Sequence, residues 1–190
     1  MLTRRLLVTF RISRGESRQP HSNVHFFTSH FMTTLKSEGV DAVASWTVNK
    51  KINVFEKKLI FIPVNANLHW SLCVVVNPGR IANSFNEEGS LLQERSWYVP
   101  LLDEFVSIRN HLTTVLPTYS ILFLDSLTMH NKNMYATHIR KWLNREWKRL
   151  GMGKVRNSSV PFDMKNMPLH APKSKFGLSI IVVSDFVIFQ

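Results

Sequence analysis

The sequence predicts an α+β domain, with a central mixed or antiparallel sheet flanked by helices. Three observations carry that expectation. First, 190 residues with a hydrophobic fraction of 44% and a charged fraction of 19% suit one compact domain with a sizeable core. Second, three short apolar runs, LIFIPV, HWSLCVVV and ILFL, end at polar or turn-forming residues, as buried strands do. Third, residues 131–151 alternate apolar and basic positions at helical spacing and stop at Gly151.

In chain order, Phe27, Phe31 and Leu35 fall at i, i+4 and i+8, so residues 24–35 are expected to form a short buried helix. Thr28 and Ser29 are its candidate caps and Gly39 its stop. Residues 40–47 form a second helical segment or turn with Val43 and Trp46 inward. LIFIPV and HWSLCVVV are joined by the polar Asn65-Ala66-Asn67, which predicts an antiparallel pair, closed by Asn77-Pro78-Gly79. Residues 80–118 read as an insertion between core strands. It holds a polar loop from Asn83 to Gly89 and a helical face of Leu101, Leu102, Phe105, Ile108 and Leu112. ILFL then runs into Asp125. In the long helix Tyr135, Ile139, Trp142, Leu143 and Leu150 are expected inward, and Arg140, Lys141, Arg145, Lys148 and Arg149 outward. VPFDMKNMPLHAPK is Pro-containing and extended, and SKFGLSIIVVSDFVIFQ is one apolar strand or two. The expected organisation is a basic, disordered leader over 1–22, a domain over 23–173 and an apolar tail over 174–190.

Charge narrows the functions further. Lys+Arg 24 against Asp+Glu 13 gives +11, but the excess is concentrated. Residues 1–22 hold five Arg and one Glu, and residues 131–156 hold eight Lys or Arg and one Glu. A basic helix face binds nucleic acid, steers an acidic partner or is simply solvated. No recognised nucleic-acid motif is present, so nucleic acid is not the expected partner; binding through Arg140, Lys141, Arg145 and Lys148 stays open as an alternative. No apolar run approaches the roughly 18–20 residues of a membrane helix, so no membrane partner is expected. One cysteine, Cys73, excludes a disulfide framework and a multi-thiolate metal site, and fits a reducing compartment. His25 and His30 are five apart and His130 and His138 eight apart; neither spacing pairs ligands on one helical face, so no metal and no cofactor are expected. The Arg-rich start, with no acid before Glu16, also has the composition of a mitochondrial presequence.

His69 opens one expected core strand and Asp125 closes another. An imidazole backed by a carboxylate is the general-base half of a nucleophilic triad, the carboxylate fixing the tautomer and stabilising the imidazolium. On spacing alone that signal is weak: a partly buried structural histidine and a turn-capping aspartate are the commoner readings.

Four segments in order change the balance. They are VHFFTSHFMTTL (24–35), SWTVNKKINVFEKKLIFIPVN (45–65), HWSLCVVVNPG (69–79) and ILFLDSL (121–127). The third is similar to a histidine motif of the form HWxLxVI and the fourth to an aspartate motif hhhhDSL. Together the segments resemble the ubiquitin-like-protein-specific cysteine proteases, the SUMO-protease or sentrin-specific protease family, over residues 23–173. The long spacer between His69 and Asp125 resembles the branch of that family with an insertion there. The resemblance implies a papain-like α+β fold and a thiol hydrolase acting on the Gly-Gly tail of SUMO or a related modifier, as precursor or conjugate. It implies His69 as catalytic base, Asp125 as its orienting carboxylate and Trp70 as a substrate-binding indole. That indole would cover the tail in a tunnel only glycines fit. It also implies a nuclear or cytoplasmic setting.

The pattern breaks at the nucleophile. The family places its cysteine in a late Asp-Cys-Gly turn after a Gln that serves the oxyanion; beyond PLHAPK this chain contains no Cys, no Asp-Cys-Gly and no suitably placed Gln. Cys73 lies four residues beyond His69 on the same strand, roughly 13 Å away at ~3.3 Å per residue. It reads as core. Ser179 and Ser184 lack the context of a nucleophile. The front end also lacks the family's opening segment with its second tunnel tryptophan. The expectation is a truncated reading of a cysteine peptidase, with activity lost, or a module that binds a ubiquitin-like modifier without cutting it.

Overall fold

The computed structural model describes residues 8–9, 23–83, 119–152, 160–171, 180–183 and 186–189. Its centre is a five-stranded mixed sheet in the order β2-β3-β4-β5-β6. The strands are β2 (Val24–Phe26), β3 (Leu59–Ala66), β4 (His69–Val76), β5 (Ser120–Leu124) and β6 (Leu169–His170). The central pairs β3/β4 and β4/β5 are antiparallel and the outer pairs β2/β3 and β5/β6 parallel. The helices are α1 (Ser29–Ser37), α2 (Ala44–Val48), α3 (Arg80–Asn83) and α4 (Lys132–Arg149). A separate three-stranded sheet joins β1 (Val8–Thr9) to β8 (Phe186–Phe189) and β7 (Ile180–Val183), with Val8 opposite Phe189. The α+β expectation holds.

The three apolar runs are strands because both faces of the sheet are buried, which replaces in-out alternation with continuous hydrophobic stretches. Ile60, Ile62, Val64, Cys73, Val75, Ile121 and Phe123 point to one core, shared with the helices. Leu59, Phe61, Leu72, Val74, Val76, Leu122 and Leu124 form the other, with Val24 and Phe26 packed against it. Side chains alternate along a strand, so His69 and Ser71 belong to the helix side with Cys73.

On that side α4 presents Tyr135, Ala136, Ile139, Trp142, Leu143 and Trp147, all buried. Trp142 meets Phe27 and Phe31 edge-on, with ring centroids 5.5 and 5.1 Å apart. The two phenylalanines stack on each other, and Trp46 closes on Phe31 at 5.6 Å. The helix starts at Asn131, whose side chain accepts from the Met134 N–H at 3.1 Å. It ends at Gly151, where φ is +64°.

Four expectations change. Residues 24–26 are not helical: Val24, His25 and Phe26 pair with Leu59, Ile60 and Phe61, and the helix begins only at Ser29. Thr28 occupies the cap position without a side-chain cap bond. The turn between β3 and β4 is Asn67-Leu68, not Asn65-Ala66-Asn67; both turn residues have positive φ, as a two-residue hairpin with the twist of its strands requires. The last change is in α4. Arg140 is buried and donates from Nε to the Met167 carbonyl at 2.9 Å. Glu146 is fully buried, held by Arg149 at 2.6 Å and Arg145 at 3.2 Å. A buried carboxylate on the apolar side draws its cations inward. Of the four residues proposed as a nucleic-acid face, only Lys141 and Lys148 are therefore exposed.

The Asn77-Pro78-Gly79 turn is present, and Gly79 is dictated by close approach: a Cβ there would lie 2.0 Å from the Phe55 carbonyl oxygen. The expected insertion beyond Asn83, including its Leu101–Leu112 face, lies outside the described residues, as do Ser179 and Ser184. Among the described residues, no helix is long and apolar enough to cross a membrane.

Candidate active site

β4 begins with His69 and β5 ends one residue before Asp125. The β4/β5 register sets Leu72 opposite Leu124, so Asp125 comes level with Ser71, two residues along from His69. The antiparallel ladder thus delivers the two side chains to the same end of the sheet. His69 Nε2 and Asp125 Oδ1 are 2.6 Å apart, and both side chains are largely buried.

Burial pushes the Asp125 carboxyl up, but its hydrogen bonds outweigh that and hold it below the ordinary carboxylate value. The N–H of His130 donates to Oδ2 at 2.9 Å, His69 to Oδ1, and the N–H of Leu127 to Oδ1 at 3.2 Å. An ionised carboxylate only accepts, so the His69 proton in this bond sits on Nε2. In the neutral ring Nδ1 then carries the lone pair, which is the state a general base needs.

His130, named in the sequence only for its spacing to His138, is the unexpected member. Its Nε2 lies 3.0 Å from the Ala66 carbonyl and its Nδ1 2.7 Å from Ser71 Oγ. A carbonyl cannot donate, so Nε2 carries a proton; in the neutral ring Nδ1 then accepts from the Ser71 hydroxyl. The His130 ring packs against that of His69, with centroids 4.9 Å apart. His69, Asp125 and His130 offer ligand-type atoms within 4.8 Å of one another, the kind of set that holds a divalent metal. Here His69 Nε2, both Asp125 oxygens and both His130 nitrogens already have hydrogen-bond partners. The lone pair of His130 faces Ser71, and His69 Nε2 faces Asp125, so the set fits a hydrogen-bond network better than a metal.

Trp70 is half-buried and alternates to the other side of the strand from His69. Cys73 is fully buried, and burial pushes its thiol far above the ordinary range. A reactive cysteine needs the opposite environment. The reading of Cys73 as core agrees with its packing among Ile62, Val75 and Phe123.

The profile of the Ulp1 protease family, C-terminal catalytic domain, matches residues 3–169. The chain belongs to that family. Sentrin-specific protease 5 of Mus musculus is 39% identical over 66 residues, covering 35% of this chain and 8% of the relative. Probable ubiquitin-like-specific protease 2A of Arabidopsis thaliana is 25% identical over 190 residues, covering 92% of this chain and 21% of the relative. The chain thus spans less than a quarter of the length of either relative. A solved structure described as a de-sumoylating protease aligns with a TM-score of 0.49 and 20% identity, over 83% of this chain and 47% of that one. The Ulp1-family match begins inside the leader, at residue 3, and ends at β6.

Proposed function

We propose that this Ulp1-family domain is built for thiol hydrolysis at the C-terminal tail of SUMO or a related ubiquitin-like modifier. In this reading His69 is the base, Asp125 orients it, and Trp70 covers the tail. The observation that carries the proposal is the 2.6 Å His69–Asp125 bond, with the imidazole proton on the side of the carboxylate. A base held this way takes a thiol proton through Nδ1, and the carboxylate stabilises the imidazolium that results.

The 190 residues hold one thiol, and it is in the core. Attack assisted by His69 needs a contact of about 3 Å, and strand geometry holds Cys73 several times farther off. The chain is therefore expected to bind a modifier without measurable turnover. Relatives that carry the words sentrin-specific and ubiquitin-like-specific in their names support the choice of partner. The test is a titration of the chain against SUMO and against a SUMO C-terminal fluorogenic amide. Saturable binding with no release of fluorophore is the expected result. Release above the buffer rate contradicts the loss of activity, and absence of binding contradicts the recognition of SUMO.

A further inference from the structure

The loop between Asp125 and α4 has few anchors of its own. Leu127, Thr128 and Met129 are all exposed, and Thr128 has a φ of +52°. Yet this loop supplies both backbone N–H groups that hold the Asp125 carboxylate. Near its end, just before the cap residue Asn131, stands His130. The His130 ring reaches across to β3 and β4, where it bonds the Ala66 carbonyl and the Ser71 hydroxyl. Those two contacts straddle His69: Ala66 is its ladder partner, and Ser71 is two residues along the same face. The ring itself rests on the His69 imidazole at 4.9 Å and meets Tyr135 of α4 edge-on at 5.6 Å.

We propose that His130 is a positioning residue: its ring clips the loop after Asp125 onto the β3–β4 hairpin, so that its own N–H stays on Asp125 Oδ2 and the carboxylate keeps its other oxygen on His69. One residue thereby ties both members of the pair to a common frame. Its backbone holds the acid, its ring nitrogens hold the strand that carries the base, and its ring face limits the rotation of the base. Ser71 is the second half of the clip, because its hydroxyl satisfies the His130 lone pair. The inference rests on the reading of His69 and Asp125 as the working pair.

The experiment therefore reads the pair itself and not turnover. In the full chain, two NMR signals are followed: the His69 Nε2 proton bonded to Asp125, and the titration of the Asp125 carboxyl carbon. Among the described residues, the ionisable groups facing Asp125 are His69 on β4, His130 in the loop and Tyr135 on α4, with the buried Cys73 beyond. His130→Ala, Ser71→Ala and His130→Gln are compared, with the Trp142 indole signal and the melting temperature as checks on the fold. His130→Ala is expected to speed exchange of the Nε2 proton on the order of fivefold to tenfold, the equivalent of about one hydrogen bond, and to move the Asp125 midpoint upward. Ser71→Ala is expected to shift both in the same direction by less. His130→Gln, whose amide N–H reaches for the Ala66 carbonyl, is expected to recover part of the loss. Folded variants whose Nε2 proton and Asp125 midpoint match the parent overturn the proposal. If His130→Ala does not fold, Ser71→Ala and His130→Gln decide by the same two signals. Failure of the clip leaves modifier binding unaffected, whereas failure of the protease reading shows as absence of binding with the pair intact.

Discussion

The two halves of β4 are held by different physics. From Leu72 to Val76 the strand is buried on both faces, and its place is fixed by many apolar contacts, no one of which is decisive. From His69 to Ser71 it is fixed by a few directed bonds to Asp125 and His130, residues more than fifty positions away. The core half sets stability and tolerates small errors of distance. The site half contributes little apolar burial, and its chemistry depends on separations of 2.6–3.0 Å. Damage to one half should therefore leave a different signature from damage to the other.

The largest expected effect is in the core. Trp142→Ala removes a fully buried indole from the Phe27–Phe31–Trp46 cluster and should cost about 3–5 kcal/mol, read by urea unfolding. Next is Glu146→Gln, which leaves Arg145 and Arg149 beside a neutral amide. Because both arginines are about a quarter exposed, a loss of about 1–3 kcal/mol is expected, between the values for surface and buried pairs.

Smaller and different in kind is the effect of pH. Asp125 is held below its ordinary value in the folded chain, so its stabilisation is fully present above the ordinary carboxylate range. It is lost as pH falls through the lower folded value. Asp125→Asn should therefore flatten the acid limb of a stability-versus-pH curve while leaving Trp142 fluorescence in place. An Asp125→Asn variant as acid-sensitive as the parent chain would show that the pair adds nothing to the fold. The smallest effect is at Cys73: its thiol should resist a disulfide reagent in the native chain and react in urea, and rapid native labelling would contradict its burial.

Legibility in the sequence divides along the same line. Strands β3, β4 and β5 are readable because burial on both faces writes them as unbroken apolar runs. His69 and Asp125 are readable because they stand at the ends of those runs, in HWSL and LDSL. Strand β2 is not, since Phe27 and Phe31 fit a helical period that in fact starts only after the strand ends. The inward turn of Arg140 and Glu146 is hidden because a charged residue at a helical position is read as outward by default. His130 is hidden for a stronger reason: its partners Ala66 and Ser71 are brought to it by β-sheet register, which no local spacing records.

The most direct test of the central claim is the tautomer of His69, read by nitrogen-resolved NMR of the imidazole at neutral pH. The account predicts a proton on Nε2, shifted far downfield by the Asp125 carboxylate and lost from that position in Asp125→Asn. A proton on Nδ1, or an Nε2 signal indifferent to Asp125→Asn, would contradict it.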